Sequence, residues 1–256
     1  MKTIFLLLAC TWFLPKELKL DNSIRSYQMT TDYINFDLKG NFLDKSRFSG
    51  RVTYGLPGDS AQWNEVYHAY SRDLDNDLSQ QEYLDYVQGF TYLPGDEVVL
   101  SPTFFPDNLP QADVPVMNLI WDALCFDALA YGYWDSLRLN QEFAARDMSF
   151  EFEMAGIGTF ENRDIRITWL GITEMNNEKC AILKYSVMNN PLNLALEHMA
   201  MTGRSHYWGE IYVSLSDKQI EYACLTEDVL TDIKFANAPE NVAGYTIRYI
   251  TFSRVE

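Results

Sequence analysis

Histidine and basic side chains are scarce in this sequence. Among 256 residues stand three histidines, His68, His198 and His206, and Lys plus Arg total 20 against 36 Asp plus Glu, a formal net charge of −16. The carboxylates are spread along the chain, and no Lys/Arg cluster occurs. Nucleic acid and anionic membrane surfaces are bound chiefly through cationic patches that neutralise phosphate, so both are disfavoured as partners. With so little histidine, metal and triad chemistry is thinly supplied. His-Glu-x-x-His, Gly-x-Ser-x-Gly, the phosphate-cradling Gly-x-x-x-x-Gly-Lys-Ser/Thr and Gly-x-Gly-x-x-Gly are all missing, and Gly156-Ile157-Gly158 reads as a turn between strands. No cofactor and no catalytic residue is implied.

The four cysteines form no Cys-x-x-Cys, which excludes a zinc ribbon or a thioredoxin-like site. Beyond the first twenty residues three remain, Cys125, Cys180 and Cys224, an odd number that rules out a disulfide scaffold. Cys125 and Cys224 fall on apolar faces and read as small buried hydrophobes. The N-terminus has a short basic start, an apolar run from Ile4 to Leu14, then Pro15 and Lys16. That run is too short to span a bilayer and reads as a secretion signal over residues 1–20, which would place the protein in the periplasm or at the cell surface. A hydrophobic first strand is the alternative. Leu7-Leu8-Ala9-Cys10 also resembles a lipobox, which would put a lipid anchor on Cys10. No repeat, low-complexity tract or Pro/Gly/Ser-rich linker divides the rest, so residues 21–256 are expected to form one domain.

Strand-like stretches run over Tyr27–Leu38, Phe48–Tyr54 and Trp63–Tyr70. Ser79 and Glu82 have the spacing of a capping box, with Leu78 and Tyr83 as a staple, and predict a helix ending at Gly89. Asp73-Leu74-Asp75-Asn76-Asp77 starts like a calcium loop but has Leu78 and Leu84 where a Gly and a Glu belong, and reads as an acidic turn. A second helix is predicted from Asp113 to Tyr131, apolar nearly all round and therefore buried. Asp122 and Asp127 near its middle would each cost about 2.5 to 3.5 kcal/mol inside a bilayer, which argues for packing against a sheet.

Alternation constrains the second half more closely. Ile165, Ile167, Trp169 and Gly171 share a face, as do Ala181, Leu183, Tyr185 and Val187 on the next strand. An odd loop between them would set Trp169 opposite Tyr185, and Ile167 opposite Val187. In the following hairpin a two-residue turn at Asp217-Lys218 pairs Leu215 with Ile220, Val213 with Tyr222, Ile211 with Cys224 and Gly209 with Thr226. A last strand, Tyr245 to Ser253, would complete the meander. The wet face of that hairpin then gathers Arg204, His206, Trp208, Glu210 and Tyr212, with Glu227 roughly opposite Trp208. Such a group can be a binding patch or a His-carboxylate acid/base pair, and alternation alone also generates it.

The stretch Arg204 to Glu221, together with Ile165 to Val187, resembles the strand-turn-strand of uncharacterised exported bacterial proteins that share the half-barrel of periplasmic lipoprotein carriers. This covers about the last two-fifths of the chain. The resemblance implies an α+β fold, mainly antiparallel β: a curved sheet of long meander strands with a buried helix in its concave face, and a groove for acyl chains. The expected function is non-catalytic binding of a hydrophobic or lipid-like ligand between sheet and helix. The alternatives are an interaction module of the cell envelope with a protein partner, and a hydrolase using His206 with Glu210 or Glu227. Candidate ligand-binding residues are Trp121, Trp169, Arg204, His206, Trp208, Glu210, Tyr212 and Glu227.

Overall fold

A computed structural model describes residues 23–95, 105, 114–154, 156–237 and 239–255. The expected signal segment, Cys10 and the first residue of the second expected helix lie outside that range. Three long strands open the chain, β1 (Arg25–Asp37), β2 (Phe42–Leu56) and β3 (Ser60–Ser71). Short strands β4 (Glu82–Tyr83) and β5 (Phe90–Tyr92) run along β3, and the helix α1 (Val114–Tyr131) comes next. Then come β6 (Glu142–Ala144), β7 (Glu151–Glu153), β8 (Gly158–Glu161), β9 (Arg166–Met175), β10 (Glu178–Leu196), β11 (Met199–Ser214), β12 (Ile220–Phe235) and β13 (Val242–Val255).

All the pairings between named strands are antiparallel. The sheet runs β4-β3-β2-β1-β13-β12-β11-β10-β8-β7, with β9 beside the first half of β10 and β6 beyond β9. Because β13 returns to pair with β1, the two chain halves form one curved, open sheet. One face carries the alternating apolar set that alternation demands: Tyr27 and Met29, Ile250 and Phe252, Ala223 and Leu225, Ile211 and Val213, Leu183 and Tyr185. Against this concave face lies α1, with Phe126 stacked on Phe252 at 5.6 Å between centroids and Val116, Met117, Leu119, Ile120 and Ala123 buried. In length and composition α1 could cross a membrane, yet here it is a core helix whose mid-helix carboxylates meet protein cations.

The helix expected from Ser79 to Gly89 does not form. Asp73, Asn76 and Asp77 turn their side chains onto the backbone N–H groups of Asp75, Leu78 and Ser79 at 2.8 to 3.0 Å, holding the segment in turns. The edge of β3 then captures the next stretch of chain, with Leu84 N–H donating to Val66 O at 3.0 Å and Gly89 N–H to Trp63 O at 2.8 Å. A single 3-10 turn, Asp85–Val87, is all the helix that remains. An open sheet edge thus outcompetes a capping box.

Both hairpin registers also differ from the expectation. Asn176 and Asn177, at φ of 53° and 64°, make a two-residue turn that pairs Met175 with Glu178. The odd residue sits in the strand instead: a bulge at Leu170 sets Trp169 opposite Leu183 and Ile167 opposite Tyr185, so the apolar faces stay in step. In the next hairpin β11 ends at Ser214 and β12 begins at Ile220. Glu221 is the extra residue, held by Arg254 at 2.7 Å, and Val213 pairs with Ile220 while Tyr212 pairs with Tyr222. From there every side chain of β12 is reversed relative to the expectation. Ala223, Leu225, Glu227 and Val229 point inward, and Tyr222 and Cys224 lie on the outer side.

Candidate functional site

That reversal moves Glu227 from the wet face into the interior, and with it the centre of interest. Arg204, His206, Trp208, Glu210 and Tyr212 do share the outer face of β11, at least partly exposed. His206 Nδ1 accepts the Asn189 backbone N–H at 3.0 Å, and Glu210 accepts the Tyr212 hydroxyl at 2.9 Å. His206 and Glu210 stand four residues apart on one strand, about 13 Å at 3.3 Å per residue. Glu227 lies across the sheet, paired with Tyr207. The acid/base pairing considered from the sequence therefore lacks the contact it requires. Trp169 is in the core, 2% exposed, its indole N–H donating to Gly171 O at 2.8 Å.

A cavity of about 630 Å³ lies between α1 and the concave face. Trp121 and Glu227 line it, alone among the candidates named from the sequence. Its walls are apolar side chains from both ends of the sheet: Phe36 and Leu43 on one side, Phe152, Phe160, Leu192 and Leu194 on the other, and Leu225 and Val229 between them. These residues come from β1 and β2, from β7, β8 and β10, and from β12, where the sheet extends past the helix and leaves apolar surface that no helix side chain fills.

The polar part of the lining is a single connected group. Asp122 of α1 and Glu227 of β12 each bind one terminal nitrogen of Arg248 from β13, and Ser205 donates its hydroxyl to the other oxygen of Glu227. The Tyr33 ring lies 5.1 Å from the Arg248 guanidinium carbon, and Asn118 donates to the Tyr33 hydroxyl at 3.2 Å. Tyr207 donates to Asn162 Oδ1 at 2.8 Å, with the Cys125 thiol 3.9 Å from its hydroxyl. Burial pushes the Asp122 carboxyl up to about 6, with Glu227 adding to the rise and Arg248 opposing it. Burial also pushes the Cys125 thiol up to about 12, which keeps it a neutral thiol and no nucleophile. Sequence reasoning missed Arg248, Asp122 as a cavity residue, Tyr33, Asn118, Asn162 and Tyr207.

A second, smaller cavity of about 200 Å³ flanks the C-terminal half of α1, lined by Arg25, Tyr54, Asp127 and Tyr131 among others. Burial raises the Asp127 carboxyl to about 7, partly offset by Arg25. Folded Asp127 therefore binds its proton more tightly than the unfolded chain does, and its contribution to stability falls as pH rises from about 4 to about 7. Asp127→Asn is expected to stabilise the protein by about 2 kcal/mol near pH 8 and to change little near pH 4. Urea melts of both proteins at the two pH values check this, and an equal effect at both would refute the assignment.

No protein-family model matches the chain, and no curated protein matches it. Among solved structures, the chain aligns with lipovitellin, a structure titled for its lipid-protein interactions, at 12% identity and a TM-score of 0.37, covering 91% of this chain and 25% of that one. It thus spans about a quarter of lipovitellin's length. A botulinum neurotoxin serotype C1 binding domain and a botulinum neurotoxin type C structure titled for cell entry dependent on two ganglioside molecules align at 9% identity with TM-scores of 0.14 and 0.15. These cover 91% and 90% of this chain and 84% and 82% of theirs. All three similarities are too distant to carry a function across, and the chemistry of the site stands on its own residues.

Proposed function

We propose that the protein is a non-catalytic binder of a hydrophobic, lipid-like ligand, held between α1 and the concave face of the sheet. The observation that carries this reading is the cavity of about 630 Å³ with largely apolar walls, set beside the buried core that helix and sheet share. Ligand sites are commonly about 300 to 1,000 Å³, apolar, with a few fixed polar groups, and this one has that composition. The alternative use of such a volume, filling it with core side chains, would stabilise the fold, so leaving it open favours a ligand as its occupant. Burying the apolar parts of a ligand here gains about 25 cal/mol per Å² of surface removed from water.

Nile red, a neutral apolar dye, is expected to bind saturably with a blue-shifted emission. Val229→Trp adds an indole to an inward position that is 9% exposed, and is expected to weaken dye binding by at least about tenfold while the protein stays folded. Equal dye binding by a folded Val229→Trp protein would place the dye elsewhere and overturn this reading.

A further inference from the structure

The polar residues of the cavity also set the charge of the head group it accepts, an inference that rests on the ligand-binding reading above. Three carboxylates, Asp44, Asp122 and Glu227, line the cavity against one cation, Arg248. Asp44 accepts a hydrogen bond from Asn35 Nδ2 at 2.7 Å. An arginine in an apolar cavity is the usual seat for a fatty carboxylate or a phosphate. Here two carboxylates already neutralise that cation. One terminal nitrogen of Arg248 is held by Glu227 and the other by Asp122, while its Nε is covered from the cavity without a hydrogen-bond partner among the described residues. An incoming anion would therefore compete with two carboxylates for the guanidinium and face the charge of both.

Glu227 has both oxygens engaged, one by Arg248 and the other by the Ser205 hydroxyl. Asp122 differs. Only its Oδ2 is engaged, by Arg248, and its side chain keeps 13% exposure as part of the cavity lining. Its second oxygen has no hydrogen bond to any described residue, which makes it the open acceptor at the base of an apolar pocket. A charge-assisted bond to a cation is worth about twice a neutral one, and more where water is excluded. The formal net charge of −16 acts in the same direction, attracting cations and repelling anions at a distance.

We propose that the cavity selects a single-chain amphiphile with a cationic head, an alkylammonium, whose nitrogen donates to the free oxygen of Asp122 while its chain lies along the walls formed by Phe160, Leu192, Leu194 and Val229. Fatty carboxylates and alkyl phosphates of the same chain length are discriminated against.

Dodecylamine, dodecanol and laurate, each below its micellar concentration at about pH 7.5, are used to displace bound Nile red. Dodecylamine is expected to half-displace the dye at a concentration at least about tenfold below that of laurate, with dodecanol between them. In Asp122→Asn, an isosteric change, the amine is expected to fall to within about threefold of the alcohol. Laurate equal to or better than dodecylamine on a protein that binds the dye overturns the head-group inference and leaves the cavity reading intact. An amine preference undiminished in folded Asp122→Asn overturns the assigned seat. Should that variant fail to fold, the ranking on the unaltered protein still decides. A protein that binds no Nile red at all fails at the earlier reading.

Discussion

Arg248→Met is expected to be among the most destabilising single substitutions in the protein, costing about 3 to 5 kcal/mol near pH 7.5. Arg248 is 9% exposed and bridges two carboxylates on the concave side, Asp122 from the helix and Glu227 from the sheet. Removing the cation leaves two buried carboxylates facing each other, and each loses a charge-assisted hydrogen bond. The cost should shrink as pH falls to about 5, because Asp122, whose carboxyl is pushed by burial up to about 6, takes up a proton and the repulsion is removed. The triple change Asp122→Asn, Glu227→Gln, Arg248→Met should recover much of the loss at neutral pH, since no uncompensated charge remains. Urea denaturation across pH checks all three statements. A loss below about 1 kcal/mol for Arg248→Met, independent of pH, would show that the bridge does not join helix to sheet.

Gly209→Ala is expected to cost about 3 kcal/mol, the upper end of overpacking effects. A Cβ at this position would stand 1.9 Å from the carbonyl oxygen of Cys224 and 2.7 Å from the Tyr185 hydroxyl. Neither neighbour can move cheaply. The carbonyl belongs to β12, which pairs with β11 here, and the Tyr185 hydroxyl donates to that same oxygen at 2.8 Å. Gly95→Ala is the control: no described residue lies within 4 Å of its added Cβ, so a change within about 0.5 kcal/mol is expected. Comparable melting temperatures for the two variants would contradict this account of the central hairpin.

The strands were legible wherever alternation ran unbroken. Tyr27–Leu38 lies within or one residue beyond β1, and the buried face of Ala181, Leu183, Tyr185 and Val187 is the one their spacing requires. The helix of 114–131 was equally plain, because eighteen residues apolar on nearly every side have to be buried. What misled was single-residue irregularity. Leu170 and Glu221 each insert one residue into a strand, and sequence spacing cannot distinguish an odd loop from an even loop plus a bulge. At Leu170 the two solutions leave the same face buried, so the error was confined to partners. At Glu221 it reversed Glu227 and hid the site.

Two signals could have found that site. Asp122 on an all-apolar helix needs a partner if it is buried, and Arg248 falls in phase with Ile250 and Phe252, on the inward face of β13. A buried acid and a buried base, each inexplicable alone, account for one another. The capping box at Ser79 failed for a different reason: its local preference is worth about 1 kcal/mol, less than the pairing that β3 offers along its edge.

Native mass spectrometry of the protein, before and after extraction with organic solvent, tests the central claim most directly. The account requires a non-covalent mass increment on the protein isolated from its producing cell, lost on extraction, restored by incubation with the extracted lipids and absent from Val229→Trp. A protein that carries only its own chain mass, and still carries only that mass after incubation with those lipids, would contradict it.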